Sequence, residues 1–181
     1  MTYLFDIVTL GENAFSKGNL KDFLENQTTT KIVYDGRADT DALYHQFKVN
    51  IFDGKVCDVQ YLFCKRHDSY TDRYVKGLAK AMQQAYWISP SERRVLDDAK
   101  LAGKKLFAPE CGGSYSVWKK RPMPPALILY AVADVWHLHE MAVRWGEREH
   151  REVYRVTAAR MRKAAMGPQA PKGQHMAIKD F

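Results

Sequence analysis

Over the first sixty positions, three short segments rich in apolar and β-branched residues alternate with two of helical periodicity. No other feature constrains the fold as much. The segments TYLFDIVTL (from Thr2), KIVYDG (from Lys31) and KVCDVQ (from Lys55) carry the residue types that favour strands. Between them, NLKDFLEN sets Leu20, Phe23 and Leu24 at helical spacing, and TDALYHQF sets Leu43 and Phe47 four apart. The order β-α-β-α-β predicts an α/β fold: a small, mostly parallel sheet with right-handed crossovers. TYLFDIVTL does not alternate, so both its faces are expected to lie under helices.

The second half reads as helical. DRYVKGLAKAMQQAYW places Tyr74, Leu78, Ala81, Met82 and Ala85 on one helix face. SPSERRVLDDAKLAGKKLF opens on an N-cap, Ser89-Pro90 or Ser91. A Gly- and Pro-rich loop, APECGGSYSVWKKRPMPP, leads into ALILYAVADVWHLHEMAV. That stretch is apolar nearly all round, so it predicts a buried helix. A charged helix is expected from about Glu147 to Ala165. Residues 1–165 then form a single domain, and 166–181 a flexible basic tail.

A chain of 181 residues with 46% hydrophobic and 27% charged residues has the balance of a soluble globular domain. No apolar run is expected to reach the ~20 residues of a membrane span. Asp6 interrupts the apolar N-terminus, which lacks the basic flank of a signal peptide. Cys57, Cys64 and Cys111 form no CxxC pair, which points to reduced thiols and an intracellular location, cytoplasm or nucleus. The charge of +7 is uneven. Arg144–Phe181 holds nine Lys/Arg against four Asp/Glu, and the other 143 residues hold 19 against 17. A basic end on a near-neutral body suits a polyanion partner, and it also suits a solvated helix face.

Three acids crowd the second strand–helix junction: Asp35, Asp39 and Asp41. Acids at a helix start are stabilised by the helix dipole, which accounts for Asp41. Asp39 stands at the carboxyl end of a strand, where open sheets hold their sites. Asp134 lies within the apolar helix, one turn after Tyr130 on the same face. A buried carboxylate there needs a cation, a strong donor or water access: an Arg or Lys such as Arg37 on one reading, a divalent metal on the other. The pair His137/His139 points to different sides of a helix and is no metal site. CGGS at 111–114 lacks the phosphate-loop pattern. The run Trp118, Lys119, Lys120, Arg121 could grip a phosphate backbone or be a solvated loop.

These segments together resemble the 3′–5′ exonuclease domain of the DEDD superfamily, in its Tyr-containing branch, like ribonuclease D. KIVYDGRADTDAL is similar to the second motif of a eukaryotic group within it. QFKV and DVQ match the segment that follows, and RPMPPALILYAVADV matches the third motif. The resemblance spans about residues 3–145. It implies Asp39 and Asp134 as metal ligands, Tyr130 as the residue that orients the attacking water, and Asp35 and Arg37 as group-specific neighbours. Arg37 and Trp118–Arg121 are the implied nucleic-acid contacts, and 3′ ends of RNA or DNA the substrates. In such enzymes two Mg²⁺ or Mn²⁺ ions straddle the scissile phosphate. The family's first motif, Asp-x-Glu, is absent from the chain, and Asp6 lies on the wrong strand to replace it.

The resemblance therefore implies a ribonuclease H-like exonuclease fold, N-terminally incomplete, with weak metal binding. A non-catalytic nucleic-acid-binding or scaffold protein is the alternative. Three geometric expectations follow. Asp39 and Asp134 should approach each other with Tyr130 beside them. The strand near Tyr3–Val8 should pair directly with Ile32–Tyr34, or a protein partner or second copy should complete the sheet. No membrane is expected as partner.

Overall fold

The computed structural model describes residues 1–68, 72–148, 150–168 and 173–181. The elements run α1 (Ile7–Leu10), α2 (Asn13–Ser16), α3 (Leu20–Glu25), β1 (Lys31–Val33), α4 (Arg37–Phe47), β2 (Val56–Asp58) and α5 (Val59–His67). They continue with α6 (Leu78–Gln84), α7 (Pro90–Phe107), α8 (Pro125–Val135), α9 (Leu138–Arg144) and α10 (Glu152–Met166). The chain divides into two compact units. The larger comprises Phe5–Leu78 with Leu138–Phe181, and the smaller Met1–Leu4 with Ala79–His137.

Among the described residues the sheet has two strands, parallel as expected. Lys31 faces Val56, Ile32 faces Cys57 and Val33 faces Asp58. The first expected strand does not form. Tyr3–Asp6 has no regular structure, and Ile7–Leu10 is a helical turn. Asp6 accepts from the Thr9 amide (3.3 Å) and hydroxyl (2.6 Å), and Gly11 ends the turn at φ 53°. A local cap thus outweighs a strand propensity that counts only when a neighbour supplies a ladder. Direct pairing of Tyr3–Val8 with Ile32–Tyr34 is overturned, since β1 pairs with β2 instead.

α10 packs on β2 and α4, and this sandwich holds the core of the larger unit. Ile51, Phe52, Val56, Met161 and Ala165 form one buried cluster. The Phe63 and Trp145 rings meet edge to face at 5.2 Å. α5 was not anticipated: KVCDVQ stops being a strand at Asp58, whose carboxylate accepts the Gln60 amide (2.9 Å) and caps the helix. The helix expected from Tyr74 is only α6, because residues 73–75 pair with the C-terminal segment. Tyr74 bridges Ile178, and the Val75 and Lys179 amides donate to Ala177 and Arg73.

In the smaller unit Ser89 caps α7 as expected, accepting the Glu92 amide (3.2 Å). Arg93 satisfies the carbonyls of Gln83 and Ile88. The long buried helix is corrected on two counts. It turns at Trp136–His137 into α8 and α9, and Leu129 (55%), Val135 (49%) and Trp136 (56%) are exposed. By length and composition alone, Pro125–Arg144 would also suffice to cross a membrane. Its mean hydropathy is 1.2, and 33% of the apolar window is buried within the fold. The charged helix starts later than expected, at Glu152. Of the tail, residues 169–172 lie outside the described residues, while 174–177 form a short turn of 3-10 helix.

Candidate functional site

In the smaller unit, α7 and α8 lie side by side and bring Tyr130 and Asp134 against Lys100. The Lys100 ammonium ion-pairs with the Asp134 carboxylate and sits 3.6 Å from the Tyr130 ring centroid. Asp134 is 44% exposed at its side chain, so the expected buried acid is an open one. Its cation is Lys100 rather than Arg37. Burial, then the neighbouring Asp134 charge, raises the Tyr130 pKa, so the phenol keeps its proton. Its ring packs edge-on to Phe107 (5.1 Å) and Trp118 (6.1 Å).

α7 can approach this closely because position 103 is glycine. A Cβ there would lie 2.5 Å from the Tyr130 Cβ. In an open helix Gly→Ala gains about 1 kcal/mol. Here overpacking costs about 1–3 kcal/mol. Gly103→Ala is expected to give a net loss of about 1 kcal/mol in urea unfolding, and a net gain would refute this packing.

Trp118 is half-buried against Phe107 (5.5 Å). Lys119 and Lys120 are exposed. Arg121 folds back on its own loop, donating to the Trp118 and Lys120 carbonyls (2.9 and 2.8 Å). His137 is buried 3.2 Å from Glu92, whereas His139 is exposed.

The second-motif residues belong to the larger unit. Asp39 is exposed in the first turn of α4, where the dipole favours its charge. Asp41 is not at the helix start: α4 begins two residues before Asp39, and Asp41 lies 3.5 Å from His45 one turn on. Asp35 takes the left-handed conformation (φ 54°), and its amide donates to Asp58 (2.9 Å). Its carboxylate clamps Arg37 through two bonds, at 2.6 and 2.9 Å. Arg37, 4% exposed, also donates to the Met176 carbonyl (2.7 Å) and lies 3.5 Å from Asp180. Burial weighs against the Arg37 charge, but Asp35 and Asp180 hold its pKa above the usual value. Asp39 thus lies in one compact unit, and Tyr130 and Asp134 in the other.

A buried ionic network beside Asp35 was not foreseen. Arg160 donates to Asp58 (2.7 Å), Asp180 (2.7 Å) and Gln60 (3.1 Å). Asp58 is 2% exposed and Arg160 4%. Burial pushes the Asp58 carboxyl up, while Arg160 and the two capping amides pull it down. The Phe181 ring covers the Arg160 guanidinium at 4.8 Å and meets Tyr61 at 5.0 Å. Asp58 and Gln60 are the D and Q of the DVQ segment, which was the one available signal. Arg160 and Asp180 lie outside every motif.

Among the described residues no group of three or more His, Cys, Asp or Glu side chains could hold a metal ion.

Comparison with known proteins gives the family and the fold. Residues 1–144 match the family model described as 3′–5′ exonuclease. The piRNA biogenesis protein EXD1 of Danio rerio is 31% identical over 141 residues, 76% of this chain and 35% of that protein. For the Xenopus laevis protein of the same name the identity is 29% over 139 residues, 75% of this chain and 29% of that protein. The chain therefore spans about a third of these relatives. Trypanosoma brucei RNase D in complex with GMP superposes with a TM-score of 0.72 at 22% identity, over 95% of this chain and 50% of that one. Its complex with RNA U12 gives 0.71 at 20% identity, over 96% and 56%.

Proposed function

We propose a function from one premise: the chain belongs to the 3′–5′ exonuclease family. Its fold is that of the ribonuclease D-like members of the DEDD superfamily. On this premise the chain engages the 3′ ends of RNA or DNA, inside the cell. One observation carries the reading. The region matched to the family, residues 1–144, contains Asp39 and the Tyr130–Asp134 pair, each in the motif context quoted above. RNA bound to Trypanosoma brucei RNase D supports single-stranded RNA as the first probe. Lys119 and Lys120, exposed beside Trp118, are the proposed backbone contacts.

Mg²⁺ or Mn²⁺ is the ion that the family implies, with Asp39 and Asp134 as its ligands. The residues present do not make a two-metal site. Asp134 is ion-paired to Lys100, and the described residues hold no three-ligand cluster. No hydrolytic step is therefore derived through the metal. Hydrolysis is the second reading, favoured by Tyr130 and Asp134 standing one turn apart on α8.

The test uses 5′-labelled single-stranded RNA and DNA with free or blocked 3′ ends. Expected are salt-dependent binding, a preference for the free 3′ end, and little Mg²⁺-dependent shortening. Lys119→Ala with Lys120→Ala should flatten the salt slope by about 1.4, at ~0.7 per single-strand phosphate contact. Indifference to the 3′ end would overturn 3′-end engagement. Robust shortening abolished by Asp134→Ala would establish the catalytic reading instead.

A further inference from the structure

A cavity of about 810 Å³ opens in the larger unit, and Asp35, Arg37 and Asp39 are not in its lining. Its apolar floor is Ile32, Ala142 and Val143. Around it stand Lys55, Arg148, Arg151 and Tyr154. Among the described residues the one carboxylate in the lining is Glu147, and the Tyr154 hydroxyl donates to it. Burial, then that bond, pushes the Tyr154 pKa up to about 12, so the phenol stays a neutral donor. Lys55 lies 4.8 Å over the Tyr154 ring, which fixes its charge at the cavity wall.

The charge balance of its lining is what gives this cavity a direction. Arg37, Arg160 and Arg162 are bound to carboxylates, and Arg93 to backbone carbonyls. Among the described residues, no carboxylate pairs with Arg148, Arg151 or Lys55. Three cations thus face one committed anion around a site wide enough for a nucleotide unit. Guanidinium forks bind phosphate oxygens in pairs, and polyanions gain from several such contacts at once. The cavity also lies in the basic end of the chain, where the charge surplus is concentrated.

We propose that this cavity is a second nucleic-acid contact, at which Arg148, Arg151 and Lys55 hold the phosphodiester backbone of a single strand. The proposal rests on the nucleic-acid-binding reading above and adds a site to it. It involves no covalent chemistry.

The test is a salt titration of labelled single-stranded oligouridylate on four proteins: the unaltered chain, Arg148→Ala/Arg151→Ala, Lys119→Ala/Lys120→Ala, and the four substitutions combined. Both arginines are exposed and unpaired with carboxylates among the described residues, so thermal unfolding of the arginine variant should match the parent. Its affinity should fall roughly tenfold or more, and its salt slope should flatten by about 1.4. This loss should add to that of the lysine variant, because independent contacts add. An arginine variant with the parent's slope, while the parent binds, overturns the second contact and leaves the proposed function standing. A parent that binds no oligonucleotide overturns both. A poly-glutamate peptide of equal charge that binds as tightly as the RNA, and loses as much in the arginine variant, overturns the phosphodiester assignment in favour of an acidic peptide.

Discussion

Arg160→Met is expected to lower the unfolding free energy by about 3–5 kcal/mol, the cost of leaving one partner of a buried ion pair without its counter-charge. Asp58, at 2% exposure, would lose its paired cation, and burial would drive its carboxyl toward the protonated form. Asp180 and Gln60 would lose their donor as well. The control is Arg162→Met. Arg162 pairs with Asp53 at 3.0 Å, but both side chains are largely exposed, at 59% and 49%. Such a pair is worth under about 1 kcal/mol. Urea unfolding followed by circular dichroism at constant m separates the two. The double variant Arg160→Met/Asp58→Leu should recover only part of the loss. It removes the orphaned carboxyl, yet it also strips the Asp35 and Gln60 amides of their acceptor. Equal midpoints for Arg160→Met and Arg162→Met would show that the network is not part of the unit's stability.

The largest kinetic effect is expected in thiol chemistry. Cys57 and Cys64 are 0% and 3% exposed, and burial pushes both thiols up to about 12. For Cys64 a hydrogen bond to Asp68 adds to the rise. An ordinary thiol near pKa ~8.5 is about a quarter ionised at pH ~8, whereas one near 12 is ionised at about 10⁻⁴. The thiolate is the nucleophile, so both should react at least ~10³-fold more slowly in the folded chain than in the unfolded one. Cys111 is exposed in the loop after α7. Alkylation read by mass should therefore add one label quickly in buffer and three in urea. Rapid double or triple labelling of the folded chain would mean that β2 and α5 open far more readily than their burial implies.

How far the sequence alone reached follows from how local each interaction is. KIV and VCD were legible as parallel strands, and Ser89 as a cap, because each depends on residue types within a few positions. Tyr130 and Asp134 were legible as neighbours one turn apart on a helix, because that spacing is local too. TYLFDIVTL was misread: its strand propensity is a property of packing against neighbours, and Asp6 and Gly11 offered a nearer solution. The length of the apolar helix was misjudged too, since composition does not say which faces will be covered. The partners of the charges could not be read at all. Asp134 pairs with Lys100, thirty-four positions earlier, and Arg160 closes on Asp58 across more than a hundred. A buried charge takes whichever counter-ion the packing of its neighbours brings within reach. Here that depended on Gly103 letting α7 approach Tyr130, and on α10 crossing β2, so only the tertiary structure could decide it.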